Sequence, residues 1–212
     1  MRFTAKLQQM AASEITAIIP NDVYTEIKQR DPAPLFRAYV IGHEGEATGK
    51  IVGMGAKILH WFSSAINKIV EKLQYGTKIF HNHGPTNENE GRNPIGELVG
   101  KVVKTIKDKI NAIAIMYIYP AYRDLPLDVA SIEADINMNL DDSVHDVDVG
   151  DITGIALGSS AVDKPGFADA TLLSEIQAFA ERTEITGEPK KWQLGYKYTG
   201  QDDRKFKLAE EA

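Results

Sequence analysis

Apolar residues along this chain change their spacing several times, and each change marks an element. Leu35 to Ile41 is an unbroken β-favouring run ended by Gly42, which predicts a strand. Thr77 to Phe80, Pro94 to Val103, Ala112 to Tyr119 and Asp151 to Gly158 predict four more. From Asp128 to Met138 apolar and polar positions alternate through Val129, Ile132 and Ile136, so Ser131 is expected on a strand whose side chains take opposite faces in turn. Between Ala56 and Leu73 the period differs. Ile58, Leu59, Phe62, Ile66, Ile69, Val70 and Leu73 recur at three and four, with Gly76 as a stop, predicting one helix that carries His60 and Trp61. Leu172 to Arg182, with Leu173, Ile176 and Ala180 on one side, predicts a second, amphipathic helix. Ser13 to Ile19 reads as a strand or short helix before a turn at Pro20-Asn21-Asp22.

Polar stretches separate these runs. His43 to Gly49 reads as a glycine-punctuated loop, Gly84 to Asn93 as an exposed, mobile loop, and Asp141 to Asp151 as a solvated acidic loop. Gly158 to Val162 is a small-residue loop, and Lys164-Pro165-Gly166 is a turn. The expected organisation is an N-terminal segment over 1–34, a principal domain over 35–186, and a polar tail or start of an appendage over 187–212. Asp202 to Ala212 is charged and helix-prone, with nothing like a cap at its end, so the reading frame is expected to continue into a helical segment.

Composition narrows the chemistry. With 212 residues, 43% hydrophobic and 25% charged, the chain is long enough to bury a core. A net charge of −6 argues against a general nucleic-acid or anionic-membrane surface. No apolar run approaches the ~20 residues of a spanning helix, and the opening residues lack a signal-like apolar stretch, so a soluble, intracellular protein is expected. The absence of cysteine removes disulfides, thiolate metal sites and a cysteine nucleophile.

Two groups remain as candidates. His81 and His83 end one strand, and Ser131 sits on another. A serine hydroxyl hardly ionises at neutral pH and needs a neighbouring base before it attacks anything. His83, beside Gly84 and the polar loop, is the better exposed imidazole, and His81 reads as structural. No Gly-x-Ser-x-Gly elbow surrounds Ser131, so an α/β-hydrolase arrangement is not expected. A metal reading stands beside this one, because two histidines two apart on a strand share a face and the Asp-rich stretch offers carboxylates. That stretch lacks the glycine and closing glutamate of a calcium loop, and no metal or other cofactor is expected.

The order of the pieces carries a further signal. Asn82-His83 precedes Pro94-Ile95-Gly96, an apolar strand follows, then Ser131-Ile132-Glu133, then Ile155-Ala156-Leu157 with its small-residue loop. Across roughly residues 35–182 this order resembles the prohead (capsid maturation) proteases of tailed phages, a family related in fold to the herpesvirus assemblins. The resemblance implies an α+β fold, an assemblin-like bent β-barrel surrounded by helices. It implies a serine endopeptidase with Ser131 as nucleophile and His83 as general base. Backbone amides of Gly158, Ser159, Ser160, Ala161 and Val162 would hold the oxyanion, each donor contributing roughly 3–4 kcal/mol in the transition state.

The same resemblance implies capsid and scaffold proteins as substrates, a homo-oligomer, and a location in the host cytoplasm inside assembling proheads, while charge and hydropathy leave no nucleic-acid or membrane partner expected. It also implies a scaffold segment after Ala212, with Leu208-Ala209-Glu210 as a processing site. One departure is plain: relatives place a histidine or an acid on the Ile-Ala-Leu strand to orient the base, and here Gly154 stands there. The third member is left to Asp151, Asp148, His145, a water, or nothing. The rivals are a catalytically silent assembly or scaffold protein of the same fold, and a metal-dependent hydrolase using His81 and His83.

Overall fold

The structure is a computed structural model that describes residues 10–51, 53–82, 93–138, 145–161, 165–167 and 169–177. Among them the elements in chain order are α1 (Ala12–Ile18), α2 (Asn21–Arg30), β1 (Leu35–His43), β2 (Gly45–Ile51), β3 (Gly55–Trp61), α3 (Ser63–Lys72), β4 (Lys78–His81), β5 (Pro94–Ile106) and β6 (Lys109–Ile118). A short 3-10 turn (Pro120–Tyr122) leads to β7 (Val129–Met138), β8 (His145–Gly158) and β9 (Leu172–Gln177).

The strands form one mixed sheet in the order β2-β3-β8-β4-β5-β6-β1-β9, with β7 paired antiparallel to β8. The long β8 organises one half: β3 meets its first two residues in parallel, and β4 and β7 flank its last residues on opposite edges. β1 and β6 occupy the other half and are apolar on both faces, which is why they read as continuous runs rather than alternating ones. On one face Tyr39, Ile41, Ala114, Met116, Ile155 and Leu157 pack with Ala65, Ile66, Ile69 and Leu73 of α3 and its end. On the other, Phe36, Ala38, Val40, Ile113, Ile115 and Tyr117 pack with Ile15 of α1 and Ile27 of α2. The N-terminal helices thus share a core with the sheet. No helix of the described residues is long and apolar enough to cross a membrane.

The fold is mixed helix and strand, as expected, but the sheet is not closed into a barrel. Among the described residues, the start of β7 and the approach to β9 are linked by the isolated bridge Val129↔Thr171 and main-chain bonds from Ala130 N–H to Ala170 O (3.0 Å) and from Leu172 N–H to Asp128 O (2.9 Å). No ladder continues from them, so the sheet stays open.

Other expectations are corrected by packing. The helix predicted over Ala56 to Leu73 is a strand, β3, and then a shorter helix, α3. Along β3 burial follows period two: Leu59 and Trp61 point inward and Ile58 is 48% exposed. The hairpin is closed by Gly53 and Gly55, both at φ +77, a conformation glycine adopts without penalty. The supposed loop from His43 to Gly49 supplies the end of β1 and most of β2, and Gly49 makes room for Leu59 across the hairpin. The expected acidic loop is part of β8 from His145 onward. The helix predicted from Leu172 is β9, which pairs with β1 through a bulge: Leu172 and Ser174 pair with the consecutive residues Tyr39 and Ala38, leaving Leu173 extra. The bulge puts Leu173 and Ile176 against the same cluster at a spacing of three, imitating a helix face.

Gly96, from the Pro94-Ile95-Gly96 motif, has a structural reason. A Cβ there would lie 2.4 Å from the carbonyl oxygen of Tyr117 on β6. Backbone cannot yield as a flexible side chain does, so Gly96→Ala is expected to destabilise the fold by about 1–3 kcal/mol, read as a lower denaturation midpoint at unchanged m-value.

Candidate functional site

Three stretches far apart in sequence meet at one end of three adjacent strands. β8 is the middle strand, with β7 on one edge and β4 on the other. Ser131 pairs with Ala156, which pairs with Phe80, so these three share one transverse row and one face. In the next row Ala130, Leu157 and His81 face the other way. Two strand spacings of ~4.8 Å put the main chains at Ser131 and Phe80 roughly 10 Å apart. The turn after β8 lies two to three residues along the strand from the Ser131 row, at the same end as His81 and Asn82.

Ser131 is half-buried, and its hydroxyl has no hydrogen-bond partner among the described residues. The neighbouring Phe80 and Ala156 are buried. His81 is exposed and ends β4. Asn82 then donates its main-chain N–H to Leu157 O (2.8 Å) while adopting φ +61, a left-handed conformation that asparagine tolerates better than most residues. β4 thus ends at His81, with Asn82 already outside the extended conformation. His83 and Val162 lie outside the described residues, as does all but Asn93 of the expected mobile loop from Gly84 to Asn93.

The small-residue loop is held by Asp128, which sequence reading passed over. Its carboxylate accepts the Ser160 main-chain N–H at 2.7 Å and the Ser160 hydroxyl, while its own N–H donates to Gly158 O at 3.0 Å. Ala161 N–H points to the Ser159 hydroxyl at 3.3 Å. In this structure the Ser160 amide is thus engaged by Asp128 and the Ala161 amide by Ser159. Slight burial pushes the Asp128 carboxyl up, but the two bonds from Ser160 outweigh it and hold the group below its ordinary value of 3.8. The tether therefore persists above that value and is lost as pH falls through the lowered one. Asp128→Ala is expected to accelerate amide hydrogen exchange at Ser160 about tenfold or more, leaving β5 and β6 unchanged.

Proposed third members are tied down elsewhere. Asp148 pairs with Lys68 and Asp151 with Lys72 (3.5 Å), both lysines on α3, and Asp146 accepts from His60 Nδ1 at 3.2 Å. The main chain at His145 pairs with Leu59 at the far end of β8, eleven residues or roughly 35 Å along the strand from Ala156. Glu133 is another matter. It lies two residues beyond Ser131 on the same face and pairs with Gly154. A Cβ at Gly154 would come within 2.8 Å of Glu133 Oε2, so this carboxylate lies across β8 where residue 154 has no side chain.

Farther across the sheet Lys78 of β4 pairs with Glu97 of β5, which pairs with Tyr117 of β6 in one row. Glu97 accepts Lys78 Nζ at 2.9 Å and the Arg30 guanidinium from α2, with Tyr119 OH 3.3 Å away. Burial pushes the Glu97 carboxyl up, yet the bond and charge of Lys78 and the charge of Arg30 prevail and keep it below its ordinary 4.5. Beside this row an open cleft of about 460 Å³ is lined by Tyr75, Thr77, Lys78, Phe80, Ile152 and Thr153. Lys78 and Phe80 thus border both the cleft and the face that carries Ser131.

Among protein-family models, curated proteins and solved structures, none matches the chain. The functional argument therefore rests on the residues and their placement.

Proposed function

We propose that this chain is a serine endopeptidase of the prohead-protease type, processing scaffold and capsid proteins inside assembling phage heads in the host cytoplasm, as a homo-oligomer. The observation that carries the reading is the convergence of the Ser131 strand, the His81-Asn82 strand end and the loop after Leu157 on β7, β4 and β8. These pieces stand about 25 to 50 residues apart in sequence, and strand pairing brings them to one end of the same three strands.

In this reading the Ser131 hydroxyl attacks the scissile carbonyl while His83, the residue after Asn82, takes its proton. The imidazolium then protonates the leaving amine, and water releases the acyl group by the same route in reverse. Main-chain amides at the end of β8 stabilise the oxyanion, with Ser160 and Ala161 removed from the candidate donors unless the loop rearranges. The cleft beside Phe80 receives substrate side chains.

A second reading, a non-catalytic assembly protein of this fold, is favoured by the engagement of Asp148 and Asp151 with α3. Cleavage of a denatured protein substrate separates the readings. Inhibition by a serine-reactive fluorophosphonate and indifference to chelator supports the protease. Sensitivity to chelator alone supports the metal hydrolase, and absence of cleavage supports the assembly protein. Loss of cleavage in His83→Ala with a mild effect of His81→Ala is expected, and the reverse order would show the base to be the other imidazole.

A further inference from the structure

We infer that the outer face of the β2–β3 hairpin is the surface through which two copies of this chain pack, related by a two-fold axis at the Thr48–Ile58 pair. The inference rests on the homo-oligomer of the proposed function and needs nothing from the serine chemistry. Ala47 and Leu59 pair and turn to the core, so Glu46, Thr48 and Lys50 of β2 share the opposite face with Ala56, Ile58 and His60 of β3. All of these but His60 are exposed. His60 is held by Asp146 and by Phe62, whose ring it meets edge-on. Of the four large apolar side chains exposed among the described residues, Met54, Ile58 and Phe62 lie on this hairpin or directly at its end. Apolar side chains concentrated in this way mark a contact surface.

The occupant is a second copy because the face complements itself. An axis in the plane of the sheet, crossing the strands at Thr48 and Ile58, reverses the second hairpin and lays Ile58 on Ile58. Glu46 and Lys50 stand two residues either side of Thr48, so Glu46 of each copy then meets Lys50 of the other. Phe62 stands four residues after Ile58 and Met54 four before it, so each phenyl ring comes over the other copy's Met54. A two-fold contact requires this self-matching. The parallel arrangement would set Glu46 on Glu46 and Lys50 on Lys50, and like charges disfavour it. Among the described residues neither Glu46 nor Lys50 makes an ion pair within its own chain. Edge-to-edge pairing is closed to β2, because Thr48 N–H donates to Gly166 O at 2.9 Å and a Cβ on Gly166 would stand 2.4 Å from Thr48 O. Seven residues on two strands span roughly 23 by 10 Å. That is a small contact, for which a dissociation constant of about 10 µM is expected.

The test is sedimentation velocity of the full chain from about 1 to 200 µM, a range that brackets this constant. The weight-average mass is expected to rise from one chain toward two. Glu46→Lys sets like charges against each other and is expected to weaken association about tenfold or more. Adding Lys50→Glu to it is expected to restore association, and Ile58→Glu to abolish it. Each position is exposed, so circular dichroism and the unfolding midpoint stay as in wild type. Recovery in the double variant is a result that a general loss of stability would not give. Wild type that stays monomeric throughout leaves the face to a different protein, and overturns both the inference and the homo-oligomer; the protease reading is judged separately by labelling of Ser131. Association that Glu46→Lys and Ile58→Glu leave unchanged uses another face, and overturns the inference alone. Should Ile58→Glu fail to fold, the two charge variants decide.

Discussion

Ser131→Ala is expected to abolish proteolysis, by roughly 10⁴-fold or more in kcat, and to leave the fold where it was. The first half follows from nucleophilic chemistry: alanine has no oxygen to form the acyl bond, and what remains is whatever binding and oxyanion stabilisation achieve alone. The second half follows from the surroundings of the side chain. The Ser131 hydroxyl bonds to no described residue, so its removal strips no partner. The main-chain pairing of β7 with β8 does not involve the side chain, and alanine keeps the Cβ that packs beside Ala156. A denaturation midpoint equivalent to within about 0.5 kcal/mol of wild type is expected. Initial rates on a protein substrate, with equilibrium unfolding of the same preparations, check both halves together.

Glu97→Ala is expected to have the largest effect on stability, a loss of about 2–4 kcal/mol in urea unfolding. Glu97 is 8% exposed and neutralises two cations at once, Arg30 from α2 and Lys78 from β4. Removing it leaves both cations partly buried without their counter-charge, and their partial contact with water keeps the loss below that of a fully enclosed pair. Because Arg30 ends α2, the substitution also loosens the helix from the sheet. The pH dependence has a definite sign. The folded carboxyl titrates below its ordinary 4.5, so the stabilisation is fully present above that value and declines as pH falls through the lowered one. Wild type should therefore lose stability in this acid window more steeply than Glu97→Ala, whose curve should be flatter there.

How much of this was legible in the sequence depended on whether a pattern had one physical meaning. The runs from Leu35 and from Ala112 have only one: continuous β-favouring residues buried on both sides, realised as β1 and β6. The strand through Ser131 was legible because a period of two has no helical equivalent. The misreadings come from patterns with two meanings. Ile58, Leu59 and Phe62 fit a helix at three and four, yet the turn at Gly53 and Gly55 makes a hairpin first, and only from Ser63 does the helical period take over. Leu173 and Ile176 imitate a helix because a bulge adds one residue to β9. The helix α2 was hidden by Pro20-Asn21-Asp22, which reads as a turn but here places proline at the N-cap.

The candidate site divides in the same way. Ser131 and the loop after Leu157 follow from local motifs, and strand pairing brings them together with the end of β4. Asp128 was missed as the holder of the small-residue loop because its importance is a matter of where the strands place it. An aspartate before a strand carries no mark that it will hold a loop some 30 residues later. Asp148 and Asp151 looked like free carboxylates in an acidic run. The lysines of α3 that bind them lie some 80 residues earlier, and nothing in the local pattern links the two stretches.

The most direct test of the account is whether Ser131 forms a covalent adduct. Wild-type chain would be treated with a fluorophosphonate at neutral pH, weighed intact, and digested for peptide mapping by mass spectrometry. The account predicts one added phosphonyl group per chain, on Ser131, absent after heat denaturation and absent in Ser131→Ala. No adduct on folded protein that unfolds cooperatively, or an adduct confined to another serine such as Ser159 or Ser160, would contradict it.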